Sequence, residues 1–290
     1  MSCMYILKVL ITGLAAGAAA FVPLSGTGLS VLVSRILGFG IDYRLMKMIL
    51  LGIFAAGVAA CYPDLLRLLG ALIGIIRDLI SNLQTFVKSR RGDTAYGYKR
   101  ILAGNYRWML AMIGIALVPA LIIGALIHPA ARFAYGNLLA VSMGFFVTAL
   151  VLLVSSYMAG ADKTPKKMKI SDGLIIGLFD GFSFLPGISK IAVTSGAGFL
   201  CGVSRKATVR ISYMMVLILT GCMILRGVYT PMFPNQVPAG PGACVVAFLG
   251  ALVSGYYVIR RSSRLISRRY ERRFAIANMA LGILTVIVYL

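Results

Sequence analysis

Residues 172–205 read DGLIIGLFDGFSFLPGISKIAVTSGAGFLCGVSR, and this stretch decides the fold. It is apolar at both ends, with Asp180, Pro186-Gly187, Ser189, Lys190 and Thr194 in its middle. A membrane helix needs roughly 20 uninterrupted apolar residues. Pro186-Gly187 breaks the run at about half that length, because proline lacks an N–H for the helical ladder and glycine loses most entropy on ordering. Two half-helices meeting at a polar turn predict a re-entrant hairpin, which a bilayer tolerates only where protein or water covers the freed backbone. The turn is a candidate site for an anion.

The same pattern echoes near the N-terminus. Gly13-Leu14-Ala15-Ala16-Gly17 matches Gly177-Leu178-Phe179-Asp180-Gly181, and Phe21-Val22-Pro23 matches Phe184-Leu185-Pro186 one residue out of register. The echo reads as an internal repeat. Residues 5–22 resemble a secretory signal but lack its charged leading region, since the only early charge, Lys8, lies inside the apolar run. They are therefore expected to stay as structure. Residues 5–22 and 25–38 become the arms of a first hairpin, bent at Pro23-Leu24-Ser25-Gly26-Thr27-Gly28.

Composition places the remainder in a membrane. The chain has 290 residues, 60% of them hydrophobic, and a mean hydropathy of +0.92, far above a soluble domain. Spans are expected at 44–62 (ended by Tyr62-Pro63), 108–127 (kinked by Pro119), 134–158, 209–229, 241–259 and 274–290. The run 65–87 carries Arg67, Arg77 and Asp78 among apolar residues at helical spacing, and predicts a helix at the cytoplasmic interface. His128 and Arg132 fall in the connector before 134.

The net charge of +21 invites a nucleic-acid reading, but the basic residues concentrate in the short connectors 88–107, 163–169, 205–210 and 260–273. That distribution is the positive-inside signature of cytoplasmic loops, suited to anionic lipid head groups and not to nucleic acid. With those loops inside, hairpin 172–204 opens to the cytoplasm. The loop Tyr229–Pro241, with four prolines, and the first hairpin then face outward. The fold class is thus an all-α polytopic membrane protein: one helical bundle with an inverted-topology repeat. Repeat one covers about 5–126 with hairpin 5–38, and repeat two about 134–290 with hairpin 172–204.

Chemistry-bearing residues are few. The five cysteines show no paired spacing, and one histidine, His128, cannot build a zinc site. Of eight acidic residues, Asp180 alone sits deep in an apolar segment. A charge there costs roughly 2.5–3.5 kcal/mol, so it is expected to be functional or paired, with Lys190 across the turn as partner. The hydroxyls of Ser25, Thr27, Ser189 and Thr194 suit phosphate oxygens beside exposed half-helix N–H groups, or serve only as caps.

Residues 13–30, GLAAGAAAFVPLSGTGLS, and 177–195, GLFDGFSFLPGISKIAVTS, resemble the two signature regions of the undecaprenyl-diphosphatase (bacitracin-resistance) family. The family pattern is G-x-x-E-G-x-x-E-F-x-P-x-S-S-T-G-H followed later by P-G-x-S-R-S-x-x-T. The likeness runs through most of the chain, including the small-residue run Ser195–Gly202. It implies a multi-pass protein of the bacterial cell membrane with two inverted re-entrant hairpins. It also implies a polyprenyl (di)phosphate partner, possible assembly as a homodimer, and removal of a phosphate from a C55 carrier lipid during cell-wall synthesis.

The departures fall on the chemistry. Ala16 and Ala20 stand where the family has glutamates, Gly26 where it has its proposed nucleophilic serine, and Leu29 where it has histidine. Lys190 replaces arginine and Ile191 the following serine, while Ser25, Thr27, Gly28, Pro186, Gly187, Ser189 and Thr194 remain. The substrate-binding set expected from the resemblance is Ser25, Gly26, Thr27, Gly28, Gly187, Ser189, Lys190 and Thr194. Phosphoryl transfer commonly needs a divalent metal held by carboxylates; Mg or Ca is expected only if the chain is active, with Asp180, Ser25, Ser189 and Lys190 as its catalytic candidates. Three readings stay open: a silent member that binds or translocates lipid phosphate, an active phosphatase with rewired chemistry, and a structural or partner-binding membrane protein.

Overall fold

The computed structural model describes residues 3–89, 97–158, 162–225, 239–262, 266 and 268–290. Most of the proline-rich loop at 229–241 and parts of the basic loops at 88–107 and 260–273 lie outside the described residues. The described residues form an all-α protein: α1 (Cys3–Ala20), α2 (Gly26–Ile36), α3 (Tyr43–Ser89), α4 (Asn105–Leu126), α5 (His128–Gly136), α6 (Leu138–Ser156), α7 (Ile170–Gly181), α8 (Lys190–Leu200), α9 (Arg205–Leu225), α10 (Pro241–Ser262) and α11 (Arg268–Tyr289). Among them, seven helices are long and apolar enough to cross a membrane: α1, α3, α4, α6, α9, α10 and α11. At 11 or 12 residues, α2, α7 and α8 are too short to cross.

Both broken stretches fold back on themselves. α1 packs on α2, and α7 packs on α8 after a single 3-10 turn at Phe182–Phe184. The base of the second pair is tied by a parallel bridge between Lys163 and Val203 and by the Lys163–Asp172 ion pair at 3.3 Å. Asp172 sits in the first turn of α7 and also accepts the Lys169 N–H at 2.8 Å, a favourable place for a carboxylate at a helix start.

The long helices cradle these pairs in a matched way. α1 runs along α10, and α7 runs along α4. At the echo positions a β-carbon on Gly13 would meet the Ala247 carbonyl oxygen at 2.7 Å, and one on Gly177 would strike the Ala116 carbonyl. One turn on, Gly17 lies against Ala251 and Gly181 against Ala120 and Ile123. The repeated glycines therefore let two helix backbones touch, the small-residue packing that membrane interiors favour. α6 and α11 pack along each other, joined by the Ser155 hydroxyl donating to Glu271 at 2.9 Å.

One expectation needs correction. Tyr62-Pro63 does not end the helix: α3 continues through Pro63 as one 47-residue helix, about 70 Å long, so the expected span at 44–62 and the expected helix at 65–87 are one element. Its second half exposes Leu66, Leu69, Ile73, Ile76, Ile80 and Leu83 on one side. Its other side is held by Arg107–Asp78 at 2.6 Å and by Asn82, which accepts the Lys99 N–H at 2.7 Å. These contacts stabilise the helix past the proline. The expected connector with His128 and Arg132 is itself helical, as the short α5 started by Pro129 in its first turn.

Gly177→Leu and Gly13→Leu are each expected to lower stability by about 1–3 kcal/mol through overpacking. Thermal unfolding in detergent checks this against Gly242→Ala, where a β-carbon meets nothing within 4 Å. Equal midpoints for all three variants would contradict the close-packing account.

Candidate functional site

A helix broken inside an apolar interior leaves N–H and C=O groups that must find partners. Here the two turns partner each other. The Ser25 hydroxyl oxygen caps α2 by accepting the Gly28 N–H at 3.1 Å, and also accepts the Gly187 N–H of the second turn at 3.1 Å. The turns approach so closely that a β-carbon on Gly28 would meet the Gly187 nitrogen at 2.6 Å. Gly187 has φ +88, in the left-handed region glycine favours, and it lies on Gly144 of α6.

The α6–α11 pair supplies one clamp to each turn. The Thr148 hydroxyl of α6 has its one proton between the Gly144 carbonyl at 2.9 Å and the Gly187 carbonyl at 3.0 Å, and accepts the Ser189 N–H at 3.1 Å. Asn278 of α11 donates to the Pro23 carbonyl at 2.9 Å. Both side chains are fully buried. Neither was singled out by sequence reasoning, although each is a polar residue within an apolar run, which is the signal that marks such positions.

The sequence-derived candidates divide into two groups. Ser25, Gly26, Thr27 and Lys190 line one cavity between the turns, closed by Ala20, Leu24 and Thr220 among others. The volume open to water centres is about 20 Å³, room for a single water. Ser189 caps α8 by accepting the Ala192 N–H at 3.2 Å, and Thr194 donates to the Lys190 carbonyl at 2.6 Å. Those two hydroxyls serve the backbone in this conformation. Gly28 and Gly187 supply the close approach of the turns, and neither lines the cavity.

Asp180 stands apart from that cavity, in the last turn of α7. It is completely buried with the Ser183 and Thr194 hydroxyls as its polar neighbours, although no hydrogen bond of 3.5 Å or less reaches either of its oxygens among the described residues. Lys190 lies close enough to interact with its charge. Among the described residues, however, no ion pair within 4.0 Å joins them. The expected Asp180–Lys190 pin is therefore not closed.

Two of the positions expected to depart from the family motif, Ala16 and Gly26, pack on each other. Ala16 is fully buried, and a β-carbon at Gly26 would meet the Ala16 carbonyl oxygen at 2.6 Å and the Ala20 β-carbon at 3.2 Å. No group of three His, Cys, Asp or Glu comes together among the described residues. The residues present therefore do not fit a carboxylate-held divalent cation.

Thr148→Val keeps the side-chain volume near α6 but leaves the Ser189 N–H and Gly187 carbonyl without their partner. Equilibrium unfolding in mixed micelles is expected to show a loss of about 1–3 kcal/mol. An unchanged midpoint would mean that Thr148 does not hold the turn.

Comparison with known proteins places the chain. The family model described as Bacitracin resistance protein BacA matches residues 9–284. An undecaprenyl-diphosphatase of Methanosphaera stadtmanae is 24% identical over 286 residues, covering 98% of each chain. One from Methanobrevibacter smithii is 24% identical over 285 residues, covering 97% of this chain and 96% of its own. Undecaprenyl-diphosphatase 1 of Chromobacterium violaceum is 26% identical over 278 residues, covering 95% and 93%. With the family model spanning nearly its whole length, this integral membrane chain belongs to the bacitracin resistance protein BacA family.

Proposed function

We propose that this protein binds, and passes across the membrane, the phosphate end of a polyprenyl (di)phosphate lipid without hydrolysing it. The observation that carries the reading is the lining of the cavity between the turns: one cation, Lys190, with Ser25 and Thr27, and no carboxylate. The N-termini of α2 and α8 meet beside it, and helix starts favour anions through their free N–H groups and dipole. Lys190 adds a full charge, though not the bidentate fork of the arginine in the family motif.

The missing chemistry supports binding over turnover. Ala16 and Ala20 can neither hold a metal nor accept a proton, and the packing at Gly26 leaves no room for a serine side chain on the present backbone. Such constellations lose orders of magnitude in rate when single members are removed. An apolar groove of about 390 Å³, open to water centres, lies next to the cavity and shares Leu24 with it. Ala15, Ala18, Val22 and Phe274 line that groove, a surface suited to an isoprenoid chain.

Movement across the bilayer is supported by the matched packing of α1 on α10 and α7 on α4. Inverted repeats around a midplane site are a geometry of alternating access. In the present conformation the cavity is too small for a phosphate group, so the two turns must separate for one to enter.

Hydrolysis is the second reading, favoured by one observation: Asp180, a buried carboxylate near Lys190 whose oxygens receive no hydrogen bond of 3.5 Å or less among the described residues. Purified protein given C55 diphosphate and Mg is expected to release no phosphate above a protein-free control. Release that vanishes in Asp180→Ala would overturn the binding reading in favour of catalysis. Lys190→Ala is expected to weaken lipid-phosphate binding about ten-fold or more, and unchanged affinity would remove the turn cavity from the account.

Orientation is testable with native chemistry. Cys3 is exposed, at the start of α1. With the other four cysteines replaced, a membrane-impermeant maleimide is expected to label it on intact cells. Labelling only after permeabilisation would invert the arrangement.

A further inference from the structure

A second cavity lies where the starts of α4 and α9 meet the base of the α7–α8 pair. Asn105, Tyr106, Thr164, Ser204, Lys206 and Arg210 line it, and it shares no residue with the cavity between the turns. Its volume open to water centres is about 190 Å³, against about 20 Å³ between the turns. Unlike the central cavity, it has room for a phosphate group as it stands.

Its charge is unbalanced. Asp64 of α3 receives Arg67 at 3.4 Å and Arg210 at 3.7 Å, so two guanidiniums share one carboxylate. Both guanidiniums also lie over the Tyr106 ring, at 5.8 and 5.4 Å from its centroid. The Tyr106 hydroxyl accepts from Arg67 at 3.0 Å and donates to Asp64 at 3.3 Å. This network fixes Arg210 at the cavity wall with its charge only partly met. Lys206, exposed on the wall, adds a third cation.

Neutral donors complete the lining. Thr164 and Ser204 flank the Lys163–Val203 bridge, which holds their backbone in place. Asn105 opens α4, and its N-cap, Gly104, brings no side-chain acceptor to the first turn. Cations with hydroxyl, amide and backbone N–H donors around a polar hollow match the oxygens of a phosphate group.

We propose that this cavity binds the phosphate of an anionic lipid head group, at the face of the protein opposite the opening of the first hairpin. The proposal stands apart from the turn site: the binding needs no movement of the turns and no contribution from Lys190. Membrane leaflets that face basic loops carry such head groups, and the site gives one of them a specific seat beyond diffuse attraction to the surface.

Trp108 is the only tryptophan in the chain and lies between the cavity residues Tyr106 and Met109 in α4. The test is a titration of the full chain, in zwitterionic micelles, with phosphatidic acid, phosphatidylcholine or inorganic phosphate, read by Trp108 emission. A saturable change with phosphatidic acid and none with phosphatidylcholine is expected. Lys206→Glu should weaken it about ten-fold or more, Lys206→Arg should retain it, and Lys190→Ala should leave it unchanged. An equal response to inorganic phosphate would support the phosphate site while assigning it to the free anion. No saturable response, or a Lys206→Glu affinity within two-fold of the native value, would overturn the proposal. So would a loss in Lys190→Ala equal to that in Lys206→Glu, since it would assign the signal to the turns.

Discussion

The hydrogen bond from the Gly187 N–H to the Ser25 hydroxyl is the contact on which the rest of this structure depends. Two helices stop inside an apolar interior, and each stop frees backbone groups that lipid cannot satisfy. Ser25 accepts from both turns at once, Thr148 engages both sides of the second, and Asn278 holds the first. The freed groups are met partly within each turn, by the Ser25 and Ser189 caps, and partly by the opposite turn and the α6–α11 pair. Close approach follows from this constraint, and it explains why glycines crowd the contact at 28, 144 and 187.

The same constraint gives several of the motif residues a structural role. Ser25, Gly28, Pro186, Gly187, Ser189 and Thr194 are residues that build and join the turns. Among the positions expected to depart from the family motif, Ala16, Ala20, Gly26 and Leu29 lie in or beside the first turn, and Lys190 and Ile191 begin α8. Ala16 and Gly26 now pack directly on each other. The fold needs the turns whether or not they catalyse, because each turn holds backbone groups that lipid could not satisfy. Asp180 is a buried carboxylate whose oxygens receive no hydrogen bond of 3.5 Å or less among the described residues.

Much of this was legible in the sequence, for definite reasons. Pro186-Gly187 and Pro23 mark breaks in apolar runs, and the paired glycines at 13, 17, 177 and 181 mark matched helix contacts. Composition alone indicated a multi-pass bundle. What the sequence left hidden is long-range. Nothing local shows that α3 survives Pro63, since the contacts that hold its second half come from residues 97–107. Thr148 and Asn278 look like isolated polar residues until the turns they clamp are placed beside them. The Ser25 hydroxyl reads equally as cap or ligand donor, and only the approach of Gly187 shows how much of it the backbone uses.

The central claim is that the turns form a lipid-phosphate site that holds its ligand without cleaving it. A structure of the full chain prepared with C55 diphosphate and Mg tests this most directly. The account predicts an intact diphosphate within hydrogen-bonding distance of the Lys190 Nζ, with the two turns moved apart and the isoprenoid chain in the groove beside Leu24. A cleaved lipid next to Asp180, or a turn contact still closed with the lipid bound elsewhere, would contradict it.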